Sequence, residues 1–112
     1  MGPLHTVNKS PFSSTALASC LAHATPDAAI ILIEDGVYGA LTGAAGPPAD
    51  LAAAAAPTDL AAAAARGAVY ALGPDLVARG LGDRPLLAGT QIVDYAGFVD
   101  LTTARPSVVA WL

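Results

Sequence analysis

The residue with the most distinctive chemistry is Cys20, the only cysteine among 112 residues. A thiol can carry sulfur as a persulfide and pass it on by thiolate attack, an exchange governed by pKa and access. A free thiol has a pKa of about 8.5, so a carrier needs a helix N-terminus or a nearby cation to hold its thiolate. Cys20 lies too far along its helix, read from Ser14 to about Ala24, to gain from the N-terminus. His23 stands at the i+3 position, and Lys9 can approach from the preceding loop. Neither is a strong activator. Cys20 also flanks the apolar stripe of Leu17 and Leu21, where a cysteine often serves as a small hydrophobe. Two readings stand: a secondary sulfur carrier, and a structural or interface residue.

Other chemistries lack their signals. The chain has no Gly-x-Gly-x-x-Gly, Walker loop, Cys-x-x-Cys or Gly-x-Ser-x-Gly. One cysteine makes no internal disulfide, and a metal would need ligands from elsewhere, so no cofactor is expected. His5 falls inside a strand and is expected to make a structural hydrogen bond. Asp35 and Asp94 each follow a strand, where a carboxylate commonly caps the next helix.

The elements that position these residues follow from apolar periodicity. Leu4 to Val7 reads as a strand, and Ser13 or Ser14 offers an N-cap for the helix that follows. Ala28 to Ile33 is an uninterrupted apolar run, the habit of a strand buried on both faces. A second helix is expected from about Val37 to Thr42, then a loop from Gly43 through Pro48. Two alanine tracts, 52–56 and 61–65, should be helical, with Pro57 between them and Thr58 or Asp59 as a cap. Ala68 to Leu72 and Thr90 to Asp94 are further strands. Between them Pro74 suits a first helical turn and Gly80 a stop. Tyr95 to Ala104 is the last helix, and Ser107 to Leu112 the fifth strand. Alternating strands and crossover helices imply one three-layer α/β/α domain over residues 1–112, around a mainly parallel five-stranded sheet.

In such a sheet, ligands collect beyond the carboxyl ends of the strands. Here those ends are Asn8-Lys9-Ser10, Glu34-Asp35-Gly36, Leu72-Gly73-Pro74 and Asp94-Tyr95. The crest is polar, as loops generally are, so plain solvation stands beside an independent active site as a reading. Val109-Ala110-Trp111-Leu112 has nothing after it to cover it and is expected at a sheet edge, inviting a partner over Trp111 if the core does not take it.

The whole chain narrows the partners. Net charge is −4 with five Lys or Arg, and no basic run, which argues against direct nucleic-acid binding and a basic membrane helix. Asp50, Pro57 and Asp59 break the alanine tracts well short of the roughly 20 residues that span a bilayer. Leu17-Ala18-Ser19-Cys20 has the look of a lipoprotein processing site, but the preceding Ser13-Ser14-Thr15 is too polar for its apolar region. A reducing cytoplasm is the expected setting. Apolar residues make up 54%, largely alanine, which buries little area, so the domain should be marginal without a partner surface.

Several blocks together resemble a known family. Leu4 to Phe12, Glu34 to Tyr38, Tyr70 to Leu76, Arg79-Gly80, Val93 to Val99 and Ala110 to Leu112 are similar, in order and spacing, to the DsrH/TusB proteins. The resemblance implies a subunit of a cytosolic sulfurtransferase complex, a heterohexamer with two copies each of this chain and of DsrE/TusD-like and DsrF/TusC-like sisters. It implies persulfide relay to a DsrC/TusE-like acceptor protein, with the principal active cysteine on the DsrE/TusD-like sister. Cys20 and Val93 to Leu101 resemble the DsrH branch, which serves dissimilatory sulfur oxidation. The other branch, TusB, serves 2-thiolation of the tRNA wobble uridine. A purely structural subunit is a further alternative. The alanine-rich stretch over 44–65 departs from the family pattern.

Overall fold

A computed structural model describes residues 1–42 and 57–112, with the backbone alone at 57–59. The expected loop from Gly43 through Pro48, the helix over 52–56 and the capping role of Thr58 or Asp59 lie outside what is described. The elements are β1 (Leu4–Val7), α1 (Ala16–His23), β2 (Ala29–Leu32), a 3-10 helix (Glu34–Ala40), α2 (Pro57–Ala65), β3 (Val69–Leu72), α3 (Gly73–Ala78), β4 (Gln91–Val93), α4 (Tyr95–Ala104) and β5 (Val108–Trp111).

All five strands pair in parallel, in the order β4-β3-β2-β1-β5. The handedness of crossovers explains the layers. Each step from β1 through β4 moves the chain the same way across the sheet, so right-handed connections put α1, the 3-10 helix, α2 and α3 on one face. The return from β4 to β5 runs the other way, and the same hand puts α4 on the opposite face. The side chains agree: Leu17, Cys20, Val37, Leu60, Ala63 and Leu76 pack with Val7, Ile30, Leu32 and Val69. Leu4, Ala29 and Ile31 face the other way, toward Phe98 and Leu101 of α4.

The central strands are buried on both faces, which is why β2 reads as an unbroken apolar run rather than an alternating one. Fully burying an Ile or Leu such as Ile31 or Leu32 stabilises the fold by about 1.5–3 kcal/mol each.

Helix ends follow local chemistry. Gly80, with φ of +70°, ends α3 in the left-handed conformation. Its N–H donates to Val77 O at 3.0 Å and the Leu81 N–H to Leu76 O at 2.8 Å, satisfying two orphan carbonyls. Gly67, at φ +76°, does the same for α2 through Gly67 N to Ala64 O and Ala68 N to Ala63 O. Asp94 caps α4 as expected, its Oδ1 accepting from Gly97 N at 2.8 Å.

Two expectations need correction. The second helix is a 3-10 helix that starts at Glu34, earlier than expected, and ends at Ala40. Asp35 therefore lies within it and caps nothing. The Glu34 N–H is held instead by Asp75 Oδ2, 2.6 Å away on α3. Gly36 lies so close to β1 that a Cβ there would run into the Val7 carbonyl, so the turn after β2 needs a residue without a side chain.

Candidate functional site

Cys20 is fully buried. Ala16, Leu17 and Cys20 form the inward stripe of α1, spaced to lie on one helical face against β1. Ser14 starts this helix by accepting the Ala16 N–H at 3.1 Å, while Thr15, at the capping position, makes no side-chain cap. The Cys20 thiol sits five residues into the chain beyond Thr15, in apolar surroundings, and burial pushes its pKa up to about 12. The expected helpers do other work. His23 donates Nδ1–H to Ser19 O at 2.8 Å and packs against Trp111 at a tilt of 39°, with ring centroids 5.5 Å apart. Lys9 is exposed on the crest. In this arrangement Cys20 has neither access nor a thiolate.

His5 makes the structural hydrogen bond expected of it. Its Nδ1 accepts the Trp111 indole N–H at 2.9 Å, across the β1–β5 pair. Trp111 is thus half-buried against the core, rather than left for a partner. Burial lowers the pKa of His5.

The carboxyl crest carries a tied network. Arg79 Nε donates to Asp35 Oδ1 at 2.8 Å, and its Nη1 lies 3.8 Å from Asp75 Oδ1. The hydrogen bond to Asp35, with both nearby carboxylates, raises the Arg79 pKa. Asn8 Nδ2 reaches Glu34 Oε2 at 3.5 Å. Glu34 adopts φ of +49°, unusual for a residue with a side chain and strained locally. These contacts bind the ends of β1 and β2 to α3 and hold the crest together, although the buried Asn8 Oδ1 has no partner among the described residues. The Arg79 pairing was not legible from local sequence, since Asp35 is 44 residues away.

An open cleft of about 280 Å³ lies at the other, amino-terminal end of β2, between α1 and α2. Its walls are Leu21, Ala24, Pro26, Ile30 and Ala63, with Arg66 among the lining residues. Among the described residues, no trio of His, Cys, Asp or Glu is placed to hold a metal ion, and no helix is long and apolar enough to cross a membrane.

Among the described residues, both edge strands carry exposed apolar side chains. At the β4 edge, Ile92 is flanked in sequence by Val77 of α3 and by Tyr95 and Val99 of α4, all four exposed. At the β5 edge, Val108, Val109 and Leu112 are exposed. No residue of α4 is fully buried, although Phe98 and Leu101 pack against the outer core.

The comparisons with known proteins match nearly the whole chain. The sequence model of the DsrH-like protein family fits residues 9–108. Protein TusB of Escherichia coli is 32% identical over 108 residues, covering 96% of this chain and 99% of that one. Protein TusB of Sodalis glossinidius is 36% identical over the same length and coverage. The crystal structure of the ychN protein from E. coli superposes with a TM-score of 0.69 at 20% identity, over 98% of this chain and 99% of the other, a likeness of fold. On the family match and these near full-length relatives, the chain belongs to the DsrH-like protein family.

Proposed function

We propose that this chain is a scaffolding subunit of a sulfur-relay complex, completed by DsrE/TusD-like and DsrF/TusC-like sister chains in a heterohexamer. The observation that carries this reading is the contrast between its only thiol and its edges. Cys20 is sealed in the core with a pKa near 12, while both open sheet edges carry exposed apolar side chains. A relay thiol must be reachable and ionised in order to attack a persulfide. Sulfur therefore travels on the sisters' cysteines, and this chain supplies surface that holds them and a DsrC/TusE-like acceptor.

The curated relatives, named TusB, support the branch that serves 2-thiolation of the tRNA wobble uridine. The DsrH-like family match and the presence of Cys20 support a second reading, dissimilatory sulfur oxidation.

Co-expression tests the scaffold. The purified chain mixed with its sister subunits should elute as one assembly, and Val109→Lys with Val99→Asp should abolish it without unfolding the chain. Intact mass after treatment with a persulfide donor tests the role of Cys20. The expected result is a sulfur adduct on a sister chain and none here. An adduct on this chain that disappears in Cys20→Ala would restore Cys20 as a secondary sulfur carrier.

A further inference from the structure

His5 occupies the second position of β1, with β2 on one side and β5 on the other, and is only 4% exposed. An indole nitrogen can only donate, so the His5 Nδ1 that accepts from Trp111 carries no proton. The ring's single hydrogen must then lie on Nε2, which is buried and has no partner. The geometry is compatible with a neutral imidazole alone.

We propose that the His5–Trp111 hydrogen bond is a proton-operated latch on β5, closed while His5 is neutral and opened when His5 takes up a proton. A protonated ring would set its own Nδ1–H against the indole N–H, two donors facing each other. It would also place a charge where nothing balances it. β1 is packed against β2, β5 and α1, with the 3-10 helix against its carboxyl end and α4 across its other face. The 3-10 helix carries Glu34, Asp35 and Tyr38 beyond Val7, where Asn8 Nδ2 reaches Glu34 and Arg79 pairs with Asp35. α4 carries Tyr95 and Asp100 on the side that Leu4 faces, opposite to the side of His5. Neither β2 nor β5 contains an ionisable side chain, and α1 contains only Cys20 and His23. Cys20 stays a neutral thiol up to a pKa of about 12, so it supplies no anion. The His23 ring, 5.5 Å from that of Trp111, is an imidazole and so supplies no counter-ion. A buried charge without a partner is strongly disfavoured, in agreement with the lowered pKa of His5.

The sign follows. A histidine whose folded pKa lies below its unfolded value contributes stability above the unfolded value, about 6.5, and loses it as pH falls through the folded one. When the latch opens, Trp111 loses its anchor and the apolar edge of β5 loses its fixed register against β1. The latch stands on its own geometry. Its consequence for assembly rests on the proposed function.

Trp111 is the only tryptophan, so its indole N–H gives one resolved nuclear magnetic resonance signal in the full chain. Its protection from solvent exchange, relative to the unfolded rate at each pH, should fall about tenfold as pH drops below the ordinary histidine value of roughly 6.5, the scale of one lost hydrogen bond. The Ile31 amide in the core should stay protected over that range. His5→Asn, whose Oδ1 can accept the indole N–H but cannot titrate, should remove the transition, and His23→Asn should retain it. Should His5→Asn fail to fold, the wild type and His23→Asn still decide. Protection that stays constant until the Ile31 amide also opens would overturn the latch, as would a transition that survives in His5→Asn or vanishes in His23→Asn.

Discussion

The inner face of the sheet and its two edges are built from similar residues and behave in opposite ways. Under α1, α2 and α3, valine, leucine and alanine side chains are buried to within a few per cent, and even a cysteine is sealed there. At β4, β5 and the outer helix α4 the same residue types stand out in solvent: Ile92 at 59%, Val99 at 58%, Val108 at 45%. Composition does not separate these regions. What separates them is the number of layers above each strand, because three crossovers deposit helices on the inner face and one crosses the outer face. A strand such as β5, with an open backbone edge and no charge or proline within it, lacks the devices that normally keep edges apart. The difference teaches that stability and association are located in different parts of this chain.

Substitutions can break that comparison. Leu32→Ala in the inner core should cost about 2–5 kcal/mol, read as a lower urea midpoint at unchanged slope. The same truncation at Val99 should cost less than about 0.5 kcal/mol and weaken binding to sister subunits instead. Equal losses at the two sites would show that the edges are part of the core.

Cys20→Ser should be the next largest, about 1–3 kcal/mol, because a hydroxyl placed there has no partner in an apolar site. Alkylation of the native thiol should be negligible near neutral pH and rapid in denaturant. The pH dependence has a definite sign. Between the ordinary thiol range and about 12, the folded chain keeps a proton that the unfolded chain has lost, so stability should decline as pH rises through that window. Denaturant titrations of the wild type and Cys20→Ala across it would check this, the variant showing the smaller decline.

Trp111→Phe keeps an aromatic ring at the β5 edge but removes the indole donor. It should cost about 0.5–1.5 kcal/mol in thermal unfolding. Val109→Lys should have the smallest effect on the isolated chain, below about 0.5 kcal/mol, and the clearest effect on complex formation by size-exclusion chromatography. A large stability loss from Val109→Lys would move that residue into the core and dissolve the contrast.

Much of the frame is legible in the sequence. The six-residue apolar run at Ala28 announced a strand covered on both faces, and Gly80 announced the end of α3, since its φ of +70° suits a residue without a side chain. Asp94 was a legible cap because its bond to Gly97 spans three residues. Asp35 offered the same local signal and went elsewhere, drawn to an arginine on α3. Gly67 ends α2 by the same device as Gly80, and its position between an alanine helix and a strand could have signalled it. For Cys20, spacing showed that it borders the apolar stripe. It did not show on which side of that border the sulfur lies.

Sequence alone determined the order of strands and helices, the parallel α/β class, the family, and the want of a strong activator near the one thiol. Each rests on interactions a few residues apart, or on patterns that repeat along the chain. Only the tertiary structure decided that Cys20 is sealed, that Trp111 bonds to His5 across 106 residues, and that the sheet's edges remain open. Those outcomes depend on which strands become neighbours and how many helices lie over each, and crossover direction fixes both only once the whole chain has folded.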